Sequence, residues 1–428
     1  MHRDIERRNS ARTNRARERV STHLMSKNVL FLMTNFPRWE GDVHSPWAVE
    51  LIQLLREQDV HVTVCAPSYQ GLRDHEIHGI SVARFRYAPA AWETLTHDSG
   101  APNKIRQNPL YLLLLPGYLL AGIWRVWRLC RRRNWDAVHV HWPIPQGLLA
   151  LIGCRRGTRI VSTFYGADLA LARKSSALIA LLRKIVSRSD AVTAISRHTG
   201  QTLTDLSGVE PAIIPYGIDM APKSADAPDR TTELFEALTV GRLIERKGQA
   251  VLVKAMAQIA ARRDDVHLTI VGEGQERPRL ESLIDRLGLG HCVRLAGRVS
   301  DEELEQAYAR CDLFVLPAIV DSAGDTEGLG MVLLEAMRYE KPVIASDIGG
   351  ITDIVTDAET GLLVPPSDVD ALANAIERLL DDRDLAERLG RQGRQINARR
   401  FAWDQIVAAY LHLYGPDNRE GAQRAAAS

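Results

Sequence analysis

From Lys27 onward the chain alternates short apolar runs with helix-patterned stretches, and it does so twice. Asn28–Met33 (NVLFLM) reads as a buried strand that ends in a loop, Thr34–Ser45. A helical pattern follows over Pro46–Gln58, with Trp47, Val49, Leu51, Leu54 and Leu55 as candidate core positions. Pro46 suits the first helical turn, where the missing N–H has no intrahelical partner to lose. Val60–Ala66 is the next strand. Strand, loop, helix and strand in this order make the unit of a parallel sheet with helical crossovers. Further strands are expected over Ile80–Phe85, Ala137–His141, Arg159–Thr163, Ala191–Ile195 and Ala212–Pro215.

The polar segment 222–232 reads as a linker, after which the alternation restarts. Strands are expected over Phe235–Val240, His267–Val271, Val293–Ala296, Leu313–Leu316, Pro342–Ala345 and Gly361–Val364. Helices are expected over Gly248–Arg262, Glu276–Leu287, Asp301–Ala309, Gly330–Arg338 and Asp370–Leu380. The fold class is therefore α/β with two doubly wound, Rossmann-like domains. Ligands of such sheets bind beyond the carboxyl ends of the strands, so two facing domains would put those loops on either side of a cleft. The expected division is a basic tail over 1–25, a first domain over 26–221, the linker, and a second domain over 233–402. A helix over 403–414 and a solvated tail over 415–428 complete it.

Composition agrees with a globular enzyme or binding protein. At 428 residues, 45% hydrophobic and 25% charged, the chain is outside the disordered, fibrous and multi-span membrane classes. Net charge is only +1, but 1–210 hold 29 Lys+Arg against 17 Asp+Glu, so an anionic partner for the first half is one reading and chance the other. The five cysteines, Cys65, Cys130, Cys154, Cys292 and Cys311, include no C-x-x-C. That favours a reducing compartment over a disulfide framework or zinc cluster. Residues 1–25 carry seven arginines and no apolar stretch of a secretory signal, and Met25 just before the first strand is a second candidate start. The expected location is cytoplasmic, with peripheral attachment to the inner face of the plasma membrane as a further option.

Three loops carry the chemistry. In Asp325–Met337 (DTEGLGMVLLEAM), Glu327 precedes Gly328-Leu329-Gly330, and Glu335 follows eight residues later. Glycines at a loop-to-helix junction let backbone N–H groups approach a phosphate, and the helix N-terminus favours the anion. If the stretch is helical throughout, the two carboxylates are about 12 Å apart along the axis. That is too far for one acid/base dyad and suits a grip on two ends of an extended ligand. In Val240–Gly248 (VGRLIERKG), Gly241 and Arg242 follow a strand directly and Lys247 lies five residues on. Two cations there suit a diphosphate, which needs charge neutralisation as well as donors. In Ile270–Gly274 (IVGEG), the missing third glycine makes a poor dinucleotide fingerprint. Gly272 and Glu273 read as a turn beside the same ligand.

Together these motifs resemble the retaining GT-B glycosyltransferases of family 4, over roughly residues 28–414. The match includes Glu327-x7-Glu335, the E-G-x-G turn, Gly241-Arg242, Lys247, Gly349-Gly350 and Thr360–Val364. The resemblance implies that Arg242 and Lys247 hold the donor diphosphate and that Glu335 holds the ribose. It also implies that Glu327 with Gly328, Leu329 and Gly330 contacts the transferred sugar and phosphate. In the first half, Phe36–Asp42 stands where the family has a glycine-containing loop, which makes Gly41 a donor-site candidate. Thr163–Asp168 (TFYGAD) is similar to the family's T-x-H-G-x-D, with Tyr165 in place of the usual His. Asp168, Tyr165 and His141 are the acceptor-side candidates, His141 being either a compensating imidazole with His139 or a structural strand-end residue.

The expected reaction is retaining transfer from a UDP- or GDP-sugar to an acceptor hydroxyl, lipid-linked or saccharide, in bacterial surface polysaccharide or glycolipid synthesis. Glu327, Asp168, Arg242 and Lys247 are its expected catalytic residues. No cofactor, metal or nucleic acid is expected. Asp368-Val369-Asp370 follows Pro365-Pro366 and reads as a helix cap rather than a metal-carrying D-x-D. A GT-B epimerase and a non-catalytic nucleotide-sugar-binding protein are the alternatives. One segment stands apart. Leu110–Trp124 is an uncharged, largely apolar run broken by Pro116-Gly117 and followed by Arg125, Arg128 and Arg131–Arg133. It is either a core helix with a basic exit or a segment that lies on anionic lipid.

Overall fold

The computed structural model describes residues 26–42, 45–97, 100–223 and 234–415. The tail over 1–25, most of the expected linker and the residues from 416 onward lie outside the described residues.

The strands are β1 (Lys27–Leu32), β2 (Val60–Pro67), β3 (His75–Ile77), β4 (Ile80–Phe85), β5 (Ala137–His141), β6 (Ile160–Phe164), β7 (Ala191–Ala194) and β8 (Ala212–Ile213). They continue with β9 (Phe235–Val240), β10 (Val266–Val271), β11 (Val293–Gly297), β12 (Leu313–Leu316), β13 (Val343–Ser346) and β14 (Leu362–Val364). One sheet has the order β3-β4-β2-β1-β5-β6-β7-β8 and the other β11-β10-β9-β12-β13-β14. β1 pairs in parallel with β2 and β5, β2 with β4, β6 with β7, β7 with β8, and the second sheet is parallel throughout, whereas β3–β4 is a short antiparallel addition that the alternation did not announce. The architecture is α/β with two Rossmann-like sheets, as expected.

The chain divides into two compact units, one of residues up to Val140 with Leu149–Ile160 and Tyr414, the other of His141–Leu148 and Val161–Leu413. In the first unit Val29, Leu30 and Phe31 are fully buried. A strand covered on both faces needs an unbroken apolar run rather than alternation. Leu30, Leu32 and Val138 meet Phe85, Tyr118, Val126 and Leu149 in its core. The helix Pro46–Arg56 buries Ala48, Leu51, Ile52 and Leu55. Trp47, Val49 and Leu54 are only half-buried, so the inward stripe is rotated from the expected one. In the second unit β9, β10, β12 and β13 pack on the helices Gln249–Ala260 and Val369–Asp381 through Leu252, Met256, Ile259, Leu372 and Ile376. Ser300 and Glu303 form a reciprocal capping box at the helix Asp301–Arg310.

Candidate active site

Glu327 is the hub. The helix behind it starts only at Met331 and runs to Arg338. Glu327 therefore lies in the loop after β12, not on the helix, and the 12 Å helical spacing to Glu335 does not apply. Gly330 caps the helix at φ 96°, a conformation few side chains tolerate. Gly349 and Gly350 line the turn from behind, and a Cβ on Gly350 would lie 2.0 Å from the Gly328 carbonyl oxygen. The Gly350 amide donates to the Glu327 carbonyl at 3.0 Å. These glycines let two backbone turns stack without an intervening side chain.

The Glu327 carboxylate is buried and meets Lys247 Nζ at 2.6 Å and Arg246 at 3.1 Å. Burial works to raise its pKa, but Lys247, Arg246 and Arg242 outweigh that and bring it down to about 2. Lys247 is buried in a 3-10 turn, Glu245–Lys247, that follows β9. Gly248 after it has φ 67°, and a Cβ there would strike the Pro317 carbonyl oxygen at 1.7 Å. That close approach pins the Lys247 turn to the end of β12. Desolvation and the neighbouring Arg246 lower the Arg242 pKa. Arg246 also reaches Asp325 at 3.7 Å and donates to the Thr326 carbonyl. Arg242, Arg246 and Lys247 thus gather around Glu327 and Asp325 at the strand ends.

Glu335 stands half-exposed on the helix Met331–Arg338 and accepts a 2.6 Å hydrogen bond from Tyr308. Gly241 and Gly272 lie side by side at the ends of β9 and β10, where a Cβ on Gly272 would come within 2.0 Å of the Gly241 carbonyl oxygen. Glu273 is exposed and held by Arg277 at 2.6 Å, so its carboxylate serves the start of the helix Arg277–Arg286.

Asp168 is buried in the first turn of the helix Ala167–Ala172. It accepts from the amides of Tyr165 at 3.1 Å and Leu169 at 3.0 Å. Burial pushes its pKa up to about 7, against the lowering effect of those amides. Tyr165 stacks on Trp142 at 4.3 Å, and its hydroxyl shares a 2.6 Å hydrogen bond with His141 Nδ1. Burial drops the His141 pKa to about 3, so this imidazole is neutral. His139 instead pairs with the Tyr414 hydroxyl at 2.6 Å, in the first unit. Gly41 also belongs to the first unit, in a loop closed by an Arg38–Asp42 ion pair of 2.7 Å and by Arg84 donating to the Phe36 and Pro37 carbonyls. The other candidates are in the second unit.

A recess of about 80 Å³ in the second unit is lined by Tyr165, Arg173, His198, Arg246, Asp325 and Glu327, among others. Arg197 fixes this arrangement, its amide and Nε each bonding Asp353 at 2.6 Å. Arg173, His198 and Arg246 were not singled out by the sequence, nor was Tyr308. Arg246 had a signal, its place beside Lys247; the others come from distant elements and had none. The Asp368 carboxylate accepts from the Ala371 amide at 2.9 Å, the helix cap expected of it.

The chain is similar to known proteins over most of its length. Residues 223–396 match the family described as glycosyl transferases group 1, and 47–221 match glycosyltransferase family 4. The chain is 30% identical over 393 residues, 89% of its length and 96% of the relative's, to a GDP-mannose-dependent alpha-(1-6)-phosphatidylinositol monomannoside mannosyltransferase of Mycobacterium tuberculosis. It is 32% identical over 292 residues, 64% of its length and 75% of the relative's, to a monoacylated phosphatidylinositol monomannoside mannosyltransferase of Corynebacterium glutamicum. Among solved structures, sucrose-phosphate synthase of Thermosynechococcus elongatus superposes with a TM-score of 0.73 at 25% identity, covering 94% of this chain and 100% of that one. With its two Rossmann-like sheets and the motif residues gathered at strand ends, the chain belongs to the GT-B glycosyltransferases of family 4, the glycosyl transferases group 1.

Proposed function

We propose that this glycosyltransferase moves a mannosyl or similar sugar from a nucleotide-diphosphate donor, GDP-mannose first among the candidates, to a hydroxyl of a lipid-linked acceptor, with retained anomeric configuration and no metal ion. The donor and acceptor classes are taken from the relatives' names. The observation that carries the site assignment is the buried Lys247–Glu327 pair, flanked by Arg246 and the glycine turn. In this reading 233–402 form the nucleotide-sugar domain and 26–221 the acceptor-side domain, working at the cytoplasmic face of a membrane.

The hard step is departure of the diphosphate as positive charge grows on the anomeric carbon. An ammonium has three donors, and Lys247 spends one on Glu327. The other two, with Arg242 and the amides of Gly328–Gly330, would hold the departing charge without having to reorganise. Glu327 stays ionised at working pH, so it accepts hydrogen bonds from sugar hydroxyls and is not a proton donor. Glu335, oriented by Tyr308, would hold the ribose. Gly41 would approach the phosphate, and Gly241 and Gly272 leave room for the ligand backbone. Asp168 keeps the Tyr165–Leu169 turn in place beside the acceptor, and Glu273 steadies the rim. The acceptor attacks from the leaving-group side and gives its proton to the departing phosphate oxygen. Arg242, Arg246 and Lys247 supply the positive charge that a metal supplies in other transferases.

Nucleotide release by the purified protein, across a panel of nucleotide sugars with and without phosphatidylinositol monomannoside, tests this. Acceptor-dependent GDP release that survives EDTA is expected. Lys247→Ala and Glu335→Ala should each lower it about ten- to a hundredfold while remaining folded, the size of a lost charged hydrogen bond. Near-normal turnover in both variants would overturn the site, and release restored only by magnesium or manganese would overturn metal independence.

A further inference from the structure

The stretch Pro109–Leu114, with the helix Leu115–Arg132 that continues it, is apolar on both faces. Tyr118, Gly122, Val126 and Cys130, spaced four apart, are buried in the first unit. The fit is close: a Cβ on Gly122 would lie 2.5 Å from Leu149 Cδ2. On the other side Leu113 is 75% exposed, Leu120 70%, Trp124 53% and Trp127 44%. Leu120, Trp124 and Trp127, spaced four and three apart on the helix, lie along one stripe, and Leu113 is exposed in the 3-10 turn that leads into it. A helix on a water-facing surface would be polar there, and a contiguous exposed apolar stripe marks an interaction site.

The last turns add charge. Arg128 lies over the Trp124 ring at 5.2 Å and Arg131 over Trp127 at 5.3 Å, with Arg132 exposed beside them. Arg125 and Arg133 are already engaged, by Asp74 and Asn28. No Asp or Glu occurs between Gly100 and Trp135. The segment is long and apolar enough to cross a membrane by length and composition, but its inner face is locked into the core, which fits a segment lying in an interface rather than spanning it.

We propose that this stripe docks the first unit on an anionic phospholipid bilayer. Leu113, Leu120, Trp124 and Trp127 enter the boundary between head groups and acyl chains, where tryptophan is enriched. Arg128, Arg131 and Arg132 meet the lipid phosphates, their stems lying along the indole rings. Charge complementarity favours this occupant: cations with no acidic neighbour in the segment, directly beside exposed Leu and Trp. The inference rests on the lipid-linked reading of the acceptor, because such an acceptor resides in a bilayer.

Co-sedimentation with phosphatidylcholine vesicles, and with phosphatidylcholine vesicles containing phosphatidylglycerol, tests it. Binding to the anionic vesicles alone, weakened by added salt, is expected. Replacing Arg128, Arg131 and Arg132 together by Gln should weaken binding by on the order of a hundredfold, each contributing about fivefold. Leu113→Asp with Leu120→Asp should abolish it. Leu113, Leu120, Arg131 and Arg132 are exposed and Arg128 is half-buried, and unchanged thermal unfolding is the control for folding. Nucleotide release with detergent-dispersed acceptor should stay at the wild-type level in these variants, which separates a failure of docking from a failure of the acceptor reading. Negligible binding to both vesicles would overturn the proposal, as would equal binding to both. Self-association that Leu113→Asp abolishes, without any vesicle binding, would assign the stripe to a second copy of the chain and overturn it as well.

Discussion

Two buried carboxylates in the second unit have their pKa values driven in opposite directions. Glu327, gripped by Lys247 and Arg246, has its pKa lowered from 4.5 to about 2. Its contribution to stability is complete above the unfolded pKa and is lost only as pH falls from about 4.5 toward 2. Asp168 has backbone amides but no cation, and burial raises its pKa from 3.8 to about 7. Between those values the unfolded chain has released a proton that the folded one keeps. Stability from this group therefore falls as pH rises from about 4 to about 7 and stays lost above. Asn cannot ionise, and Oδ1 of Asp168 already accepts both close amides. Asp168→Asn should thus gain stability relative to the wild type as pH rises from about 4 to about 7, by at most about 4 kcal/mol. Thermal unfolding of both proteins across that range checks this; parallel pH dependence would contradict it. The sequence marked Asp168 by its motif, yet burial, which sets its pKa, has no local signature.

Among the elements, the loops bearing Lys247 and Glu327 were legible because each motif is contiguous and follows an apolar strand. Their mutual contact was not, since it depends on β9 and β12 being neighbours in the sheet. The helix Arg383–Arg400 went unread altogether. Its sequence is strongly polar and carries Gly390 and Gly393, which argue against a helix by propensity. Packing explains Gly390: a Cβ there would lie 1.8 Å from the Glu340 carbonyl oxygen. The same reasoning ranks two glycines of the candidate site. A Cβ on Gly350 would lie 2.0 Å from the Gly328 carbonyl, whereas one on Gly328 would reach only to 3.3 Å from the Tyr165 carbonyl. Neither has a left-handed φ, so space alone distinguishes them. Gly350→Ala should cost about 1–3 kcal/mol through overpacking and displace the Glu327 turn, with Gly328→Ala much milder. Equal unfolding temperatures for the two variants would contradict that ranking.

At the scale of the whole molecule, the doubled alternation was enough to predict two parallel sheets, because a parallel sheet requires helical crossovers that leave a long-range sequence rhythm. The short antiparallel β3 and the inward stripe of Pro46–Arg56 escaped it, both being settled by packing between elements. Family membership then makes glycosyl transfer the activity, and the cations gathered around Lys247 give a physical reason for a diphosphate donor to suit it. Retention of configuration follows if the attacking hydroxyl and the departing diphosphate share one face of the sugar. The most direct measurement is the anomeric configuration, by nuclear magnetic resonance, of the product formed from GDP-mannose and phosphatidylinositol monomannoside. An α-linked mannoside, matching the donor, is the predicted result; a β-linked product, or no transfer from any nucleotide sugar, would contradict the account.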